Sequence, residues 1–126
     1  MTTRNTLLVG ALMGLLGVAL GAFGVHALKP MLLASGRLET YELAVRYQFY
    51  HAGALMAVGI LKYSFSATLF RWCSLLFLSG ILLFSGSLYA LCFTGISSIA
   101  MITPFGGVLL IGGWLAMLIA IAKHIK

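Results

Sequence analysis

The sequence has little charge of either sign, and acidic side chains are the scarcest. It contains two glutamates, no aspartate and eight basic residues among 126. With 8% charged and 62% hydrophobic residues, the chain cannot cover its apolar surface with polar groups in water. This excludes an ordinary soluble domain and indicates an integral membrane protein. A formal net charge of +6 would suggest nucleic acid in a soluble domain. Here the bases flank apolar runs, so we expect contact with the lipid bilayer and no nucleic-acid partner.

The sequence also lacks the residue patterns that carry metals, cofactors or catalysis. Its two cysteines, Cys73 and Cys92, fall in one predicted helix. They lie about 28 Å apart at 1.5 Å of rise per residue, so they cannot pair. No cysteine and histidine cluster, HExxH sequence or Gly-Ser-Gly elbow occurs, and Gly106-Gly107 is too short for a phosphate loop. We therefore expect no metal, no cofactor and no enzyme activity.

Four stretches reach the length of about 20 mostly apolar residues that a spanning helix needs. Pro30 is expected to stop the first, while Thr103 as N-cap and Pro104 as first helical residue are expected to start the fourth. Short loops make successive helices antiparallel neighbours. The prediction is a single-domain, all-α membrane protein, a four-helix transmembrane bundle with up-down-up-down topology. The predicted spans are residues 6–28, 37–61, 72–93 and 104–122.

The distribution of basic residues predicts the orientation of this bundle. The face that carries both termini would also carry five bases, whereas the first loop on the opposite face has Lys29 and Arg37. Because bases concentrate on the cytoplasmic side, this favours both termini inside (N-in/C-in) in a bacterial inner membrane. Trp72 is expected to anchor the interface and Trp114 to pack in the interior. The five bases are Arg4, Lys62, Arg71, Lys123 and Lys126.

An alternative is that the first apolar stretch is a signal peptide. Arg4 precedes it, and residues 25–27 (Val-His-Ala) loosely resemble a cleavage site. The stretch is longer than the usual apolar region of about 7 to 15 residues, which favours a spanning helix.

Glycines in the first helix form one narrow stripe, because they recur at intervals of four and three residues. Such a stripe lets another backbone approach closely, and close packing is what associates helices in lipid. Packing within the monomer is the first interpretation, and a seam between copies in a homo-oligomer is the alternative. The stripe consists of Gly10, Gly14, Gly17, Gly21 and Gly24.

Polar side chains of the second helix separate onto two faces of the helical wheel. Glu42 and Arg46 are one turn apart and can form an ion pair near the outer interface. His51 lies about 16 Å from Lys62, near mid-bilayer, where ionisable groups are expensive and often functional. It is either a neutral imidazole bonded to another helix or a group that handles protons or a ligand. One face carries Glu39, Glu42, Arg46 and Tyr50, and the other Tyr41, Gln48 and His51.

Two known kinds of four-helix membrane protein, haem-binding bundles and small multidrug-resistance transporters, do not match the polar residues of this sequence. Haem bound by His26 and His51 would need the two at one depth, but they differ by roughly 14 Å. Small multidrug-resistance transporters have similar length and four spans, but their first helix carries an acidic residue that this chain lacks.

Four motifs in order resemble the YgdD-like family, domain of unknown function 423. They are GAFGVHAL at residues 21–28, YELAVRYQFYHA at 41–52, FSGSLY at 84–89 and ITPFGG at 102–107. The resemblance implies a small multi-pass inner-membrane protein, related to the eukaryotic transmembrane protein 256 group, with no established activity. It implies no catalytic role. The motif positions are His26, Glu42, Arg46, Gln48, His51, Ser85, Ser87, Tyr89, Thr103 and Pro104.

Spanning, packing and orientation explain almost every residue, so we expect a non-enzymatic protein that supports membrane integrity or a membrane complex. Its partner would be a second copy or another membrane protein. The alternative is a small oligomeric channel or transporter that uses the polar face around Gln48 and His51. In both interpretations the candidate polar cluster comprises His26, Glu42, Arg46, Gln48, His51, Ser85, Ser87 and Tyr89.

Overall fold

A computed structural model describes residues 1–66 and 68–126, and its regular elements within those residues are all helical. Because α1, a π-helical segment and α2 follow one another without a break, the chain forms four long helical rods. The helices are α1 Thr3–Val18, the π-helical segment Ala19–Gly24, α2 Val25–Ala34, α3 Leu38–Ser64, α4 Thr68–Thr94, a 3₁₀ turn Ser97–Met101 and α5 Thr103–His124.

The first rod continues through Pro30, so the prediction that this proline stops the helix is wrong. Pro30 lies inside α2, which ends at Ala34. A proline inside a helix removes one hydrogen bond and crowds the carbonyl four residues earlier. Spanning helices tolerate this because local adjustments and neighbouring helices satisfy the freed backbone groups. The true stop is Gly36, which has a left-handed φ of +68°. Its N–H donates to the carbonyl of Leu33 at 3.2 Å, and the next N–H reaches back to the carbonyl of Leu32 at 2.8 Å, the hydrogen-bond pattern of a glycine-terminated helix.

The start of α5 also differs from the prediction. Thr103 is itself helical, the N-cap is Ile102, and no side chain caps the helix. The hydroxyl of Thr103 instead lies 2.6 Å from the hydroxyl of Ser87 on α4. A bond between two helices has replaced a local cap.

The rods pack in the order α1, α3, α4, α5, with each in contact with the next. The larger buried cluster lies between α3, α4 and α5, with Leu55, Phe77 and Leu110 as members from each helix. A second cluster joins α2, α3 and α4 through Leu32, Tyr41 and Cys92. In this order α3 lies between α1 and α4, so its buried polar side chains can bond to helices on two sides.

Three of the helical segments are long and apolar enough to cross a membrane, judged over the described parts of the chain: Thr3–Ala34, Thr68–Thr94 and Ser97–His124. The second of the four predicted spans, which corresponds to α3, is not among them. α3 has the length, with 27 residues, but Glu39, Glu42, Arg46, Gln48 and His51 lower its hydropathy.

Candidate functional site

The polar residues of α3 lie on two sides of the helix. Tyr41, Gln48 and His51 are buried, whereas Arg46 is exposed and Glu42 partly exposed. Glu42 and Arg46 line one shallow surface depression together with Glu39. The structure places no ion pair between these described side chains, so the proposed pairing of Glu42 with Arg46 is not formed here.

Gln48 joins α3 to both of its neighbours. Its Nε2 donates to the carbonyl oxygen of Met13 on α1 at 3.0 Å. Its Oε1 accepts a hydrogen bond from the hydroxyl of Tyr89 on α4 at 2.8 Å. One amide therefore connects three helices, and its acceptor and donor ends are both used. The sequence had placed Gln48 and Tyr89 in one candidate cluster without specifying this bond.

Tyr41 extends the same polar layer toward the π-helical segment. Its hydroxyl donates to the carbonyl oxygen of Leu20 at 2.8 Å, and its ring lies edge-on to that of Tyr89, with centroids 5.5 Å apart. A Cβ on Gly24 would collide with the Tyr41 hydroxyl. Glycine is therefore required there for the tyrosine to reach the backbone of the first rod.

Two serines of α4 also form hydrogen bonds to neighbouring helices. The Ser85 hydroxyl donates to the carbonyl oxygen of Ala44 on α3 at 2.7 Å. Ser87 pairs with Thr103 on α5 and also donates to the carbonyl oxygen of Phe84 at 2.9 Å. The two serines thus face opposite neighbours of α4, since one binds α3 and the other α5.

Both ring nitrogens of His51 are occupied, and the partners define its protonation state. The indole Nε1–H of Trp114 on α5 donates to His51 Nε2 at 3.1 Å. Since an indole nitrogen can only donate, Nε2 must carry a lone pair. The other nitrogen, Nδ1, then carries the proton and donates to the carbonyl oxygen of Tyr47 at 2.7 Å. His51 is 5% exposed, so this geometry holds a neutral imidazole buried between the helices.

Aromatic rings surround His51 on the side that faces α5. The ring of Tyr47 stacks on that of Phe84 with centroids 4.5 Å apart, and Trp114 meets Phe77 edge-on at 5.2 Å. A hollow of about 510 Å³ borders this group. Trp114 is 48% exposed, so the prediction that it packs in the interior is wrong: its ring lies at the surface while its N–H points inward.

The glycine stripe of the first helix faces mainly α3. A Cβ at Gly10 would lie 3.0 Å from Met56 Sδ, at Gly17 3.0 Å from Phe49 Cδ2, and at Gly21 3.0 Å from Val45 Cγ1. Gly14 has no atom within 4 Å of such a Cβ. Most of the stripe is therefore in use within one chain, and Gly14 alone opens outward.

His26 stands apart from the buried polar layer, because it is exposed on α2. Within the described residues, no group of three or more histidine, cysteine or acidic side chains is arranged to hold a metal ion. The site is thus a set of helix-bridging hydrogen bonds, centred on Gln48 and His51, without a metal-binding arrangement.

Comparisons with known proteins agree on one family. The family described as "Protein of unknown function (DUF423)" matches residues 20–107. A UPF0382 membrane protein of Staphylococcus saprophyticus is 44% identical over 93% of this chain and 96% of its own length. The UPF0382 inner membrane protein YgdD of Escherichia coli K12 is 36% identical over 94% of this chain and 90% of its own.

The UPF0382 membrane protein YwdK of Bacillus subtilis is 39% identical, over 94% of this chain and 97% of its own length. No solved structure matches. The names of these relatives state a membrane location and no activity. With matches over nearly the full length, the chain belongs to the DUF423 family of uncharacterised membrane proteins and is a multi-pass protein of the bacterial inner membrane.

Proposed function

We propose that the protein is a non-enzymatic, sealed helical bundle that supports the integrity of the inner membrane or of a membrane complex. One observation carries the proposal: among the described residues, no buried side-chain nitrogen or oxygen lacks a hydrogen-bond partner. A path for water or substrate needs polar groups that remain available. Here Gln48 and His51, the two polar groups deepest in α3, are both fully engaged by neighbouring helices.

The bundle is inferred to have up-down-up-down topology with both termini in the cytoplasm. In support, Lys62 near the end of α3 bonds to the carbonyl oxygen of Met1 at the start of the chain. The start of α1 and the end of α3 are therefore neighbours, which supports an antiparallel arrangement of the two helices. Arg4, Lys62 and Arg71 belong to that end, and the excess of bases there favours the cytoplasm.

A small transporter remains the rival function, because the 510 Å³ hollow borders His51. The two functions differ in one physical property. A transporter requires an aqueous path that reaches His51, whereas a sealed bundle keeps water away from it.

Cysteine accessibility along α3 separates the two. Cys73 and Cys92, both buried and free, are replaced by alanine, and single cysteines are then introduced from residue 41 to residue 55. A small water-soluble thiol reagent is applied to intact membranes from each side. Cysteines at Ser35 and Ser66, which are exposed beyond the ends of α3, serve as positive controls.

For a sealed bundle we expect both controls to react from opposite sides and positions 47–55 to be protected. Periodic labelling at positions 48, 51 and 55 would reveal an aqueous path on the buried face and would replace our proposal with the transporter. Reaction of both controls from the same side would refute the proposed topology.

A further inference from the structure

The end of the bundle that holds Lys62 contains a basic recess. It has a volume of about 330 Å³ and lies between the start of α1, the end of α3 and the start of α4. Two cationic side chains line it, Lys62 and Arg71, and hydroxyl groups surround them. The recess is lined by Met1, Thr2, Thr3, Lys62, Phe65, Ser66, Thr68 and Arg71.

The ammonium of Lys62 is hydrogen-bonded in this recess but not neutralised. Its Nζ donates to the carbonyl oxygen of Met1 at 2.7 Å, to the hydroxyl of Thr6 at 3.0 Å and to that of Ser74 at 3.3 Å. All three acceptors are uncharged. A partly buried charge held only by neutral groups attracts a counter-ion, because attraction between opposite charges strengthens as water is excluded.

No side-chain carboxylate of the chain can serve as that counter-ion. The only two acidic residues are Glu39 and Glu42. At 1.5 Å of rise per residue, Glu42 lies roughly 30 Å from Lys62 along α3. The two cations instead repel each other. Lys62 lies just beyond the predicted span, and its pKa is lowered by burial first and then by the charge of Arg71. The lining of the recess contains no carboxylate, so we expect the anion to come from another molecule.

A second depression continues from the recess onto an exposed apolar surface. It has a volume of about 240 Å³, shares Met1, Thr68 and Arg71 with the recess, and continues over Trp72 and Leu75. Both of these apolar side chains are exposed. The guanidinium of Arg71 thus stands where a polar hollow meets an apolar surface. A guanidinium binds phosphate through two parallel hydrogen bonds, and Trp72 suits the level of the headgroups.

We propose that this recess binds the phosphate of an anionic phospholipid headgroup. Arg71 contacts the phosphate, the charge of Lys62 stabilises it from behind, and an acyl chain lies along Trp72 and Leu75. The shared chemistry is a phosphate, which free phosphate could also supply. Continuity with an apolar surface favours the lipid. This goes beyond the proposed function and does not depend on whether α3 is sealed.

Lipid binding to the full chain in a neutral detergent tests this, with native mass spectrometry to count bound molecules. The probes are phosphatidylglycerol, phosphatidylcholine with the same acyl chains, and inorganic phosphate. We expect the wild type to retain one phosphatidylglycerol in preference to phosphatidylcholine. Arg71→Gln should weaken phosphatidylglycerol binding about fivefold, the factor expected for one basic side chain beside an anionic headgroup.

The matched control is Arg4→Gln, which removes the same charge at the same end. Arg4 is exposed and lies outside the recess lining, so lipid binding should stay within about twofold of the wild type. Arg71→Lys keeps the charge without the two-pronged geometry, and an intermediate affinity is expected. Melting temperatures without lipid verify that each variant is folded.

Three results would overturn the proposal. Equal retention of phosphatidylglycerol and phosphatidylcholine would remove the role of the anion. Equal losses in Arg4→Gln and Arg71→Gln would show a general effect of charge instead of a site. Inorganic phosphate that binds as tightly as the lipid would assign the recess to a soluble phosphate.

Discussion

Replacing Gly106 by alanine tests how closely α5 lies against α4. A Cβ at Gly106 would collide with the backbone nitrogen of Phe84 and would lie 2.7 Å from its Cα and 2.8 Å from the carbonyl carbon of Leu83. These are backbone atoms in the middle of α4, so no side chain can rotate away. The helices would have to separate, and the contact of Trp114 with His51 would lengthen.

The size of the effect follows from two opposing contributions. Overpacking in a close-packed region costs about 1–3 kcal/mol, and alanine regains up to about 1 kcal/mol of helix propensity relative to glycine. We therefore expect Gly106→Ala to lower the free energy of unfolding by about 1–2 kcal/mol. Reversible unfolding in mixed micelles of a mild detergent and dodecyl sulfate, followed by circular dichroism, measures it.

The next residue provides a matched control. A Cβ at Gly107 would touch only ring carbons of Phe84, at 3.8 Å, which is ordinary contact. Gly107→Ala makes the same chemical change in the same helical turn, and stability should stay unchanged or rise slightly. If Gly106→Ala were as stable as Gly107→Ala, α4 and α5 would not approach as closely as described, and the reasoning would fail.

Two further substitutions test the helix-bridging bonds. Tyr89→Phe removes the hydrogen bond between α4 and the buried amide of Gln48 on α3 and should destabilise the bundle by about 0.6–1.7 kcal/mol. The control Tyr63→Phe, at a residue that is 87% exposed, should leave stability unchanged. An equal loss of stability in both variants would contradict the assignment of this bond. In nitrogen NMR of labelled histidine at neutral pH, His51 should show a protonated Nδ1 and a hydrogen-bonded, unprotonated Nε2. Trp114→Phe should shift the Nε2 signal and Trp72→Phe should leave it in place, so an unshifted Nε2 signal in Trp114→Phe would rule out the indole as its donor.

The first rod shows which parts of the fold can be predicted from the sequence. Length and hydropathy indicate the helix, and the spacing of its glycines indicates a packing face. They do not indicate that the helix passes Pro30, because the effect of a proline depends on the rest of the rod. The sequence of the first rod does not predict the π-helical segment either. Leu20 in that segment accepts a hydrogen bond from the hydroxyl of Tyr41 on α3, and a contact with another helix cannot be predicted from the local sequence. Gly36 was the readable stop signal, because a left-handed residue ends the helix there.

The surroundings of His51 could be predicted only in part. The helical wheel gives the side of α3 on which it lies and its depth, but not which helix crosses there. Its partner Trp114 is 63 residues away in sequence. One signal was available: an indole N–H inside a membrane needs an acceptor, and Trp114 lies about 14 Å from Lys123 where His51 lies about 16 Å from Lys62. The similar depth of the two residues pointed to His51 as the acceptor.

The close approach of neighbouring helices and the hydrogen bonding of their buried polar side chains depend on each other in this bundle. The hydrogen bond of 3.0 Å from Gln48 to the backbone of α1 forms beside Gly17, where a Cβ would lie 3.0 Å from Cδ2 of the Phe49 ring. Likewise, the bond from Trp114 to His51 needs α5 close to α4, which Gly106 allows. An added methyl group at Gly106 would therefore do more than crowd α4 and α5. It would leave the buried imidazole of His51 without its indole partner and draw water to it, so stability and the sealing of the bundle should fail together.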